Sequence, residues 1–303
     1  MKLLPAGLGL AFLLAAMAAV PQFADEYIVG VALSLAMWIA LTESWVLLSG
    51  LTGYVSLGHV VFYGIGSYVG VLVWQQVPMW QMIALAGLSS GLFALVVGYP
   101  VLRVRGPYFV MLTFGIAELV KFVVIDIEAQ LGEFSRLVLG GPSVTDLYYV
   151  MLGMAAAAVV LTYAVGRSRA GYALRAIREN EEAAETVGVP VARYKLAVFA
   201  LSAVIPGMVG AVMAVRSSYF EPSQAFDPVI SFTIVTMAII GGSDNARGPL
   251  VGSAFLVILS ELLWDRAPQM YMILLGLLLI AFVLFAPGGV TAWRLPRFGG
   301  ARR

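Results

Sequence analysis

The sequence predicts an all-α, polytopic membrane protein: a bundle of about ten spanning helices, both chain ends inside, with one short polar helix on the inner face. Three observations predict it. Charged residues fill only 12% of 303 positions, about half the roughly 25% of a soluble domain, so most of the surface faces lipid. The apolar runs are long and continuous, as helices of about 20 residues crossing a bilayer require, whereas spanning strands alternate in short segments. Basic residues are lopsided between alternate connections, the signature of cytoplasmic loops.

The elements follow in order, roughly 3–21, 27–49, 54–74, 79–102, 107–125, 147–166, 193–215, 228–242, 249–264 and 268–286. The first follows Lys2 and runs into small residues at Ala18-Ala19 and Ala24 that resemble a signal-cleavage site; it is expected to be a retained helix. Trp74 and Trp80 flank a turn at Pro78, Tyr148 and Tyr149 open the sixth span and Trp293 follows the tenth, as interfacial aromatics do. The eighth and ninth are short, which suits tilted or broken helices. Pro206 sits inside the seventh, where a smooth helix is expected. Gly66/Gly70, Gly87/Gly91 and Gly248/Gly252 repeat at four-residue spacing, which lets membrane helices approach closely.

With the N-terminus inside, Lys2, Arg103, Arg105, Arg167, Arg169, Arg175, Arg178, Arg193, Lys195, Arg247, Arg294, Arg297, Arg302 and Arg303 fall on the inner side. Only Lys121, Arg136, Arg216 and Arg266 fall outside, together with Asp25, Glu26, Asp126, Glu128, Glu133, Asp146, Glu221, Asp227 and Asp265. The chain reads as one transmembrane domain over 1–303, with a polar loop at 167–192 and a short basic tail at 294–303.

Several functions are excluded or disfavoured. The chain has no cysteine and a single histidine, His59, so disulfides, thiol chemistry and Cys- or His-rich metal sites have no residues to build them. No basic run resembles a nucleic-acid patch, and no Gly-x-x-x-x-Gly-Lys-Ser/Thr loop is present to bind nucleotide. Gly87-Leu88-Ser89-Ser90-Gly91 fits the Gly-x-Ser-x-Gly pattern of hydrolases, but that motif needs a strand–turn–helix elbow and this copy lies in an apolar span. No catalytic residue, metal or cofactor is expected.

The longest polar stretch runs from Gly166 to Lys195. From Ala173 to Val187 nothing breaks a helix, and Gly188 with Pro190 supplies a stop. Leu174, Ile177, Ala184 and Val187 form an apolar stripe. Arg175 and Arg178 make its first half basic, and Glu179, Glu181, Glu182 and Glu185 make its second half acidic. Surface-bound amphipathic helices carry basic polar faces, so this one suits a groove on a partner protein better than a lipid surface, with a merely solvated loop as the remaining alternative.

Glu182-Ala183-Ala184 followed by Gly188 resembles the EAA loop of ABC importer permeases, and the text from Ala173 to Asn180 and Arg193 to Leu196 is similar to branched-chain amino acid permeases of the LivM type. So are Gly53-Tyr54-Val55-Ser56-Leu57-Gly58-His59, Arg105-Gly106-Pro107-Tyr108-Phe109, Ala117-Glu118-Leu119-Val120-Lys121, Gly140-Gly141-Pro142, Gly241-Gly242, Gly248-Pro249 with Gly252, and Pro287-Gly288-Gly289, in order. Glu43 departs from the Asn or Asp common there. The resemblance implies an inner-membrane subunit of an ATP-driven importer for branched-chain or related amino acids. It implies two cytoplasmic ATPase subunits, a second related permease and an external solute-binding protein as partners, with Arg175, Arg178, Glu182, Ala183, Ala184 and Gly188 coupling to the ATPase. Urea, short amides and aromatic acids stay open as substrates, and an ion-coupled secondary transporter is the competing class, since Glu43 and Glu261 permit coupling carboxylates.

Ionisable groups at membrane depth usually face a bundle interior or a cavity. Glu43, Ser56, His59 and Glu118 are the candidate translocation residues, against packing roles for Glu43 and His59. Glu118 and Lys121 are three apart and can pair on one helix face. Gly50, Gly53 and Gly58 permit a helix break beside His59.

Overall fold

The computed structural model describes residues 4–132, 135–217, 219–243, 246–264, 268–285 and 289–290. Lys2, Glu133, Asp265, Arg266, Pro287, Gly288, Trp293 and residues 294–303 lie outside the described residues.

The chain is almost wholly helical. The helices are α1 (Leu4–Phe23), α2 (Glu26–Thr52), α3 (His59–Val73), α4 (Met79–Val101), α5 (Pro107–Leu131), α6 (Val144–Arg167), α7 (Arg169–Glu179), α8 (Glu181–Thr186), α9 (Val191–Arg216), α10 (Pro222–Ala225), α11 (Pro228–Gly241), α12 (Gly248–Trp264) and α13 (Pro268–Phe285). A helix stands at each of the ten apolar stretches. Among the described residues, six segments are long and apolar enough to cross a membrane: α2, α4, α5, α6, α9 and the segment Pro222–Gly241, which takes in α10 and α11. Leu14–Phe23, α3 and Gly248–Leu262 are shorter apolar helices. The protein is therefore a multi-pass membrane protein. The all-α expectation needs one small amendment, an antiparallel pair of two-residue strands, β1 (Arg136–Leu137) and β2 (Tyr219–Phe220).

Helices α2 and α9 form the centre, most of their length being buried. Glycine sets how closely the others approach. A Cβ at Gly66 of α3 would collide with the Gly207 backbone of α9, and one at Gly207 would meet the Ser90 side chain and the Ala86 carbonyl of α4. Gly87 and Gly91 lie against Met208 and Val204 of α9, and Gly248 and Gly252 against Gly242 and Met237. All three glycine pairs thus mark helix crossings, where close backbone contact replaces a hydrophobic drive. Pro206 does not interrupt α9, which runs through it; neighbouring helices support such prolines in membranes.

The connections sort into two ends. At the basic end, Lys195 reaches the Leu102 carbonyl and Arg105 reaches Glu181. At the acidic end, β1 pairs β2, and Trp74 and Gln75 donate to the Leu139 carbonyl. There Arg136 pairs with Glu128 at 3.0 Å, and Tyr68 also donates to Glu128. The Gly-x-Ser-x-Gly segment lies inside α4, with the Ser89 hydroxyl donating to the Ala86 carbonyl, so no nucleophile elbow exists.

Candidate functional site

The polar loop forms two helices, not one. Asn180 breaks the expected 173–187 helix by adopting an extended backbone (φ −161°, ψ 113°). The reason is local: its side-chain oxygen accepts from the Ala183 amide at 3.0 Å, starting α8 afresh, and asparagine is a preferred N-cap. Ser168 caps α7 in the same way through the Gly171 amide at 3.2 Å. Gly188 ends the unit at φ +87°, a left-handed conformation that favours glycine.

The lever made by α7 and α8 is seated on the bundle by its apolar stripe. Leu174, Ile177 and Ala184 are buried in one core cluster with Leu47, Leu48, Phe109 and Val198, whereas Val187, the fourth residue of the expected stripe, points out to solvent at 78% exposure. Of the predicted coupling residues, Glu182, Ala183 and Gly188 are exposed and Ala184 is buried. The two arginines turn back onto the protein. Arg175 donates to the Gly166 carbonyl and stacks on Tyr172, and Arg178 donates to the Gly50 carbonyl at 2.8 Å near the end of α2.

Glu181 anchors the joint between lever and bundle. Its carboxylate meets the Lys195 ammonium at 3.0 Å and the Arg105 guanidinium at 2.8 Å, and accepts from the Tyr54 hydroxyl. Lys195 is 5% exposed and uses its three donors on Glu181, the Tyr54 oxygen and the Leu102 carbonyl. Burial and the adjacent Glu181 carboxylate push the Tyr54 hydroxyl above its ordinary pKa, which keeps it a donor. Sequence reading missed Glu181, Tyr54, Arg105 and Lys195 as a unit. The signal was there in part: Tyr54, Arg105 and Lys195 all fall in the blocks that carried the resemblance, but only tertiary packing brings them together. A cleft of about 630 Å³ opens beside this joint, between residues 52–55, 105–107 and 177–181.

The break beside His59 is real. α2 ends at Gly53 (φ +76°), and α3 begins only at His59. The irregular backbone between them is satisfied by side chains: Trp45 donates to the Ser56 carbonyl at 2.8 Å and the Leu57 amide donates to Thr113 at 3.2 Å. Glu43, Ser56 and His59 are all fully buried around the middle of α2 and the break. Among the described residues, neither Glu43 oxygen nor either His59 nitrogen has a partner in hydrogen-bond geometry. Thr162 of α6 donates to the Glu43 backbone carbonyl at 3.3 Å, and Ser253 of α12 reaches Thr42 at 3.3 Å. Glu118 does not join this group. It lies on α5, the least buried of the long helices, in a partly exposed pair with Lys121 at 3.9 Å.

The sequence profile of the family described as "branched-chain amino acid transport system / permease component" matches residues 27–283. The chain belongs to this family. Similar proteins include the high-affinity branched-chain amino acid transport system permease protein LivM of Salmonella typhimurium, 28% identical over 282 residues, covering 82% of this chain and 66% of the relative. LivM of Escherichia coli is 27% identical over the same coverage. The L-arabinose ABC transporter permease protein AraH of Azospirillum brasilense is 27% identical over 225 residues, covering 72% of this chain and 64% of the relative. The aligned part of this chain thus spans just under two thirds of the length of the LivM relatives. No solved structure matches it. These relatives are transport permeases, and the permease fold seen here keeps both the lever and the broken α2–α3 segment inside the matched region.

Proposed function

We propose that this chain is the membrane-spanning permease subunit of an ATP-driven importer, taking up branched-chain or related amino acids. The carrying observation is the α7–α8 lever: its exposed edge at Glu182, Ala183, Glu185 and Val187 is free to dock, while Arg178 and Glu181 tie its inner edge to α2, α9 and the turns beside them. The basic end faces the cytoplasm, with N- and C-termini inside, and about ten helices cross the inner (plasma) membrane of a prokaryote. Two ATPase subunits dock on the levers of this chain and a second, related permease. An external solute-binding protein delivers substrate to the acidic end. ATP hydrolysis belongs to the ATPase, so this chain is not an enzyme.

Closure of the ATPases pushes on α8, and the Arg178–Gly50 and Glu181–Tyr54 bonds carry the push to the 50–58 break. That break leads to Ser56 and His59 and ends the helix that carries Glu43, which is why these residues belong to the pathway in this reading. The AraH relative favours one second reading, a sugar or other uncharged solute as cargo. Reconstitution with the co-encoded ATPase and binding protein tests the proposal: stimulated ATPase activity that falls with Glu182→Lys supports it, and solute uptake by this chain alone in liposomes overturns it.

A further inference from the structure

At the basic end a second cleft, of about 340 Å³, lies where the end of α4 meets the start of α9, within the roughly 300–1,000 Å³ of small-molecule sites. Leu102, Val191 and Leu196 give it apolar lining, and Arg103 and Arg105 give it cationic lining. It shares Arg105 and Glu181 with the larger cleft beside the lever, so that ion pair borders both.

The charged groups on this cleft are Arg103, Arg105, Lys195, Glu181 and Glu185, which leaves one cation in excess. Lys195 is buried and spends its donors, as described above, with Glu181 among its partners. Arg105 brings its Nη2 to 2.8 Å from Glu181, but its side chain is 55% exposed, and a guanidinium has five N–H donors to place. Arg103 has no carboxylate partner among the described residues. Its guanidinium carbon stands 4.5 Å from the centroid of the Tyr99 ring, which is itself exposed. Stacking on a ring leaves the N–H groups of a guanidinium in their own plane, where an oxyanion can take two of them.

The surface that adjoins the cleft decides what carries that oxyanion. Leu85, Leu88, Leu92, Val96 and Tyr99 are exposed and follow one another at three- or four-residue spacing, so they share one face of α4. Ser90, Ala94 and Gly98 on the other face are buried. Because α4 is long and apolar enough to span a membrane, its exposed face meets acyl chains. The stripe ends at Tyr99, four residues before Arg103 and at the level where an interfacial aromatic marks the headgroups. A free phosphate matches the arginines alone, whereas a phospholipid matches both the arginines and the stripe. A headgroup without a cation also balances the excess charge, which choline or ethanolamine would leave in place.

We propose that this cleft binds an anionic phospholipid, its phosphate held by Arg103 and Arg105 and its acyl chains lying along the exposed face of α4. Basic pockets between membrane helices are where such headgroups bind. The site does not depend on the importer reading.

Native mass spectrometry of the full chain in mild detergent tests it, by titration with phosphatidylglycerol or phosphatidylcholine of the same acyl chains. Phosphatidylglycerol is expected to bind about tenfold more tightly, and Arg103→Gln and Arg105→Gln each to weaken it about fivefold without changing phosphatidylcholine. Arg193→Gln, which removes an exposed arginine at the same end but outside the cleft, is expected to change neither. Melting curves check that the variants fold, and Arg103→Gln, which breaks no ion pair, decides the matter if Arg105→Gln does not. Equal binding of the two lipids, unchanged phosphatidylglycerol binding in Arg103→Gln, or an equal loss in Arg193→Gln overturns the proposal. Glycerol 3-phosphate added in excess separates the two sources of phosphate: retained phosphatidylglycerol supports the lipid site, and its displacement overturns it.

Discussion

The Lys195 ammonium lies 3.0 Å from the Glu181 carboxylate in a site where both side chains are more than nine-tenths buried. This pair joins α9, one of the two central helices, to the first residue of α8. Removing one partner of a buried pair strands the other, which costs about 3–5 kcal/mol, whereas an exposed pair contributes about 0–1 kcal/mol. Glu181→Gln, which leaves the Lys195 ammonium with only the neutral Tyr54 and Leu102 oxygens, is therefore expected to lower the melting temperature of the purified chain sharply, while Arg105→Ala, which removes the half-exposed partner of the same carboxylate, shifts it little. A smaller loss in the Lys195→Met, Glu181→Gln double variant than in Glu181→Gln alone checks that the cost is the stranded charge.

Gly188 sits at φ +87° with nothing within 4 Å of a Cβ built there. Alanine meets no neighbour, but a left-handed backbone costs a non-glycine residue about 1–2 kcal/mol. Gly188→Ala is expected to leave membrane insertion intact, to lower the melting temperature by only a few degrees and to weaken capture of the ATPase in pull-down. Equal capture by both forms counts against a docking role for this turn.

Two glycines predict opposite outcomes from the same change. Gly207→Ala places a methyl against the Ser90 side chain and the Ala86 backbone at the α4–α9 crossing, so the chain should lose stability by about 1–3 kcal/mol or fail to fold. Gly115→Ala on α5 has nothing within 4 Å, and alanine favours the helix by about 1 kcal/mol. Thermal melting of the two variants side by side measures the contrast.

Because the chain contains no cysteine, single-cysteine labelling reports orientation directly. Val187 is 78% exposed at the basic end and Leu137 is 74% exposed at the acidic end. A membrane-impermeant maleimide added to intact cells should label Leu137→Cys and spare Val187→Cys, with the order reversed in inside-out vesicles.

Among the described residues both buried Glu43 carboxylate oxygens lack a hydrogen-bond partner, and burying a polar group unpaired costs free energy. Glu43→Leu is expected to keep or raise the melting temperature while lowering solute uptake at least tenfold in the reconstituted complex. Retained uptake makes Glu43 a packing residue.

How much of this was legible in the sequence differs by level. The ten apolar stretches were readable because lipid demands long runs of apolar residues and helices that satisfy their own backbone, a rule that acts residue by residue. Gly53 and Gly188 were readable for a similar reason, since a left-handed turn restricts the residue that occupies it. Asn180 was not: its residue type suits a helix interior and an N-cap alike, and the structure shows the cap, with its side-chain oxygen accepting from the Ala183 amide.

The sequence by itself determined the membrane class, the helix positions, the glycine crossings and the polar lever, all of which follow from local composition and spacing. The tertiary structure alone decided that Arg178 grips Gly50 and that Glu181 gathers Lys195, Arg105 and Tyr54. Those partners lie from 14 to 141 positions apart in the cases where a bond joins them. No local pattern encodes such distances, because helix packing, and not the periodicity of any one helix, sets which ends meet.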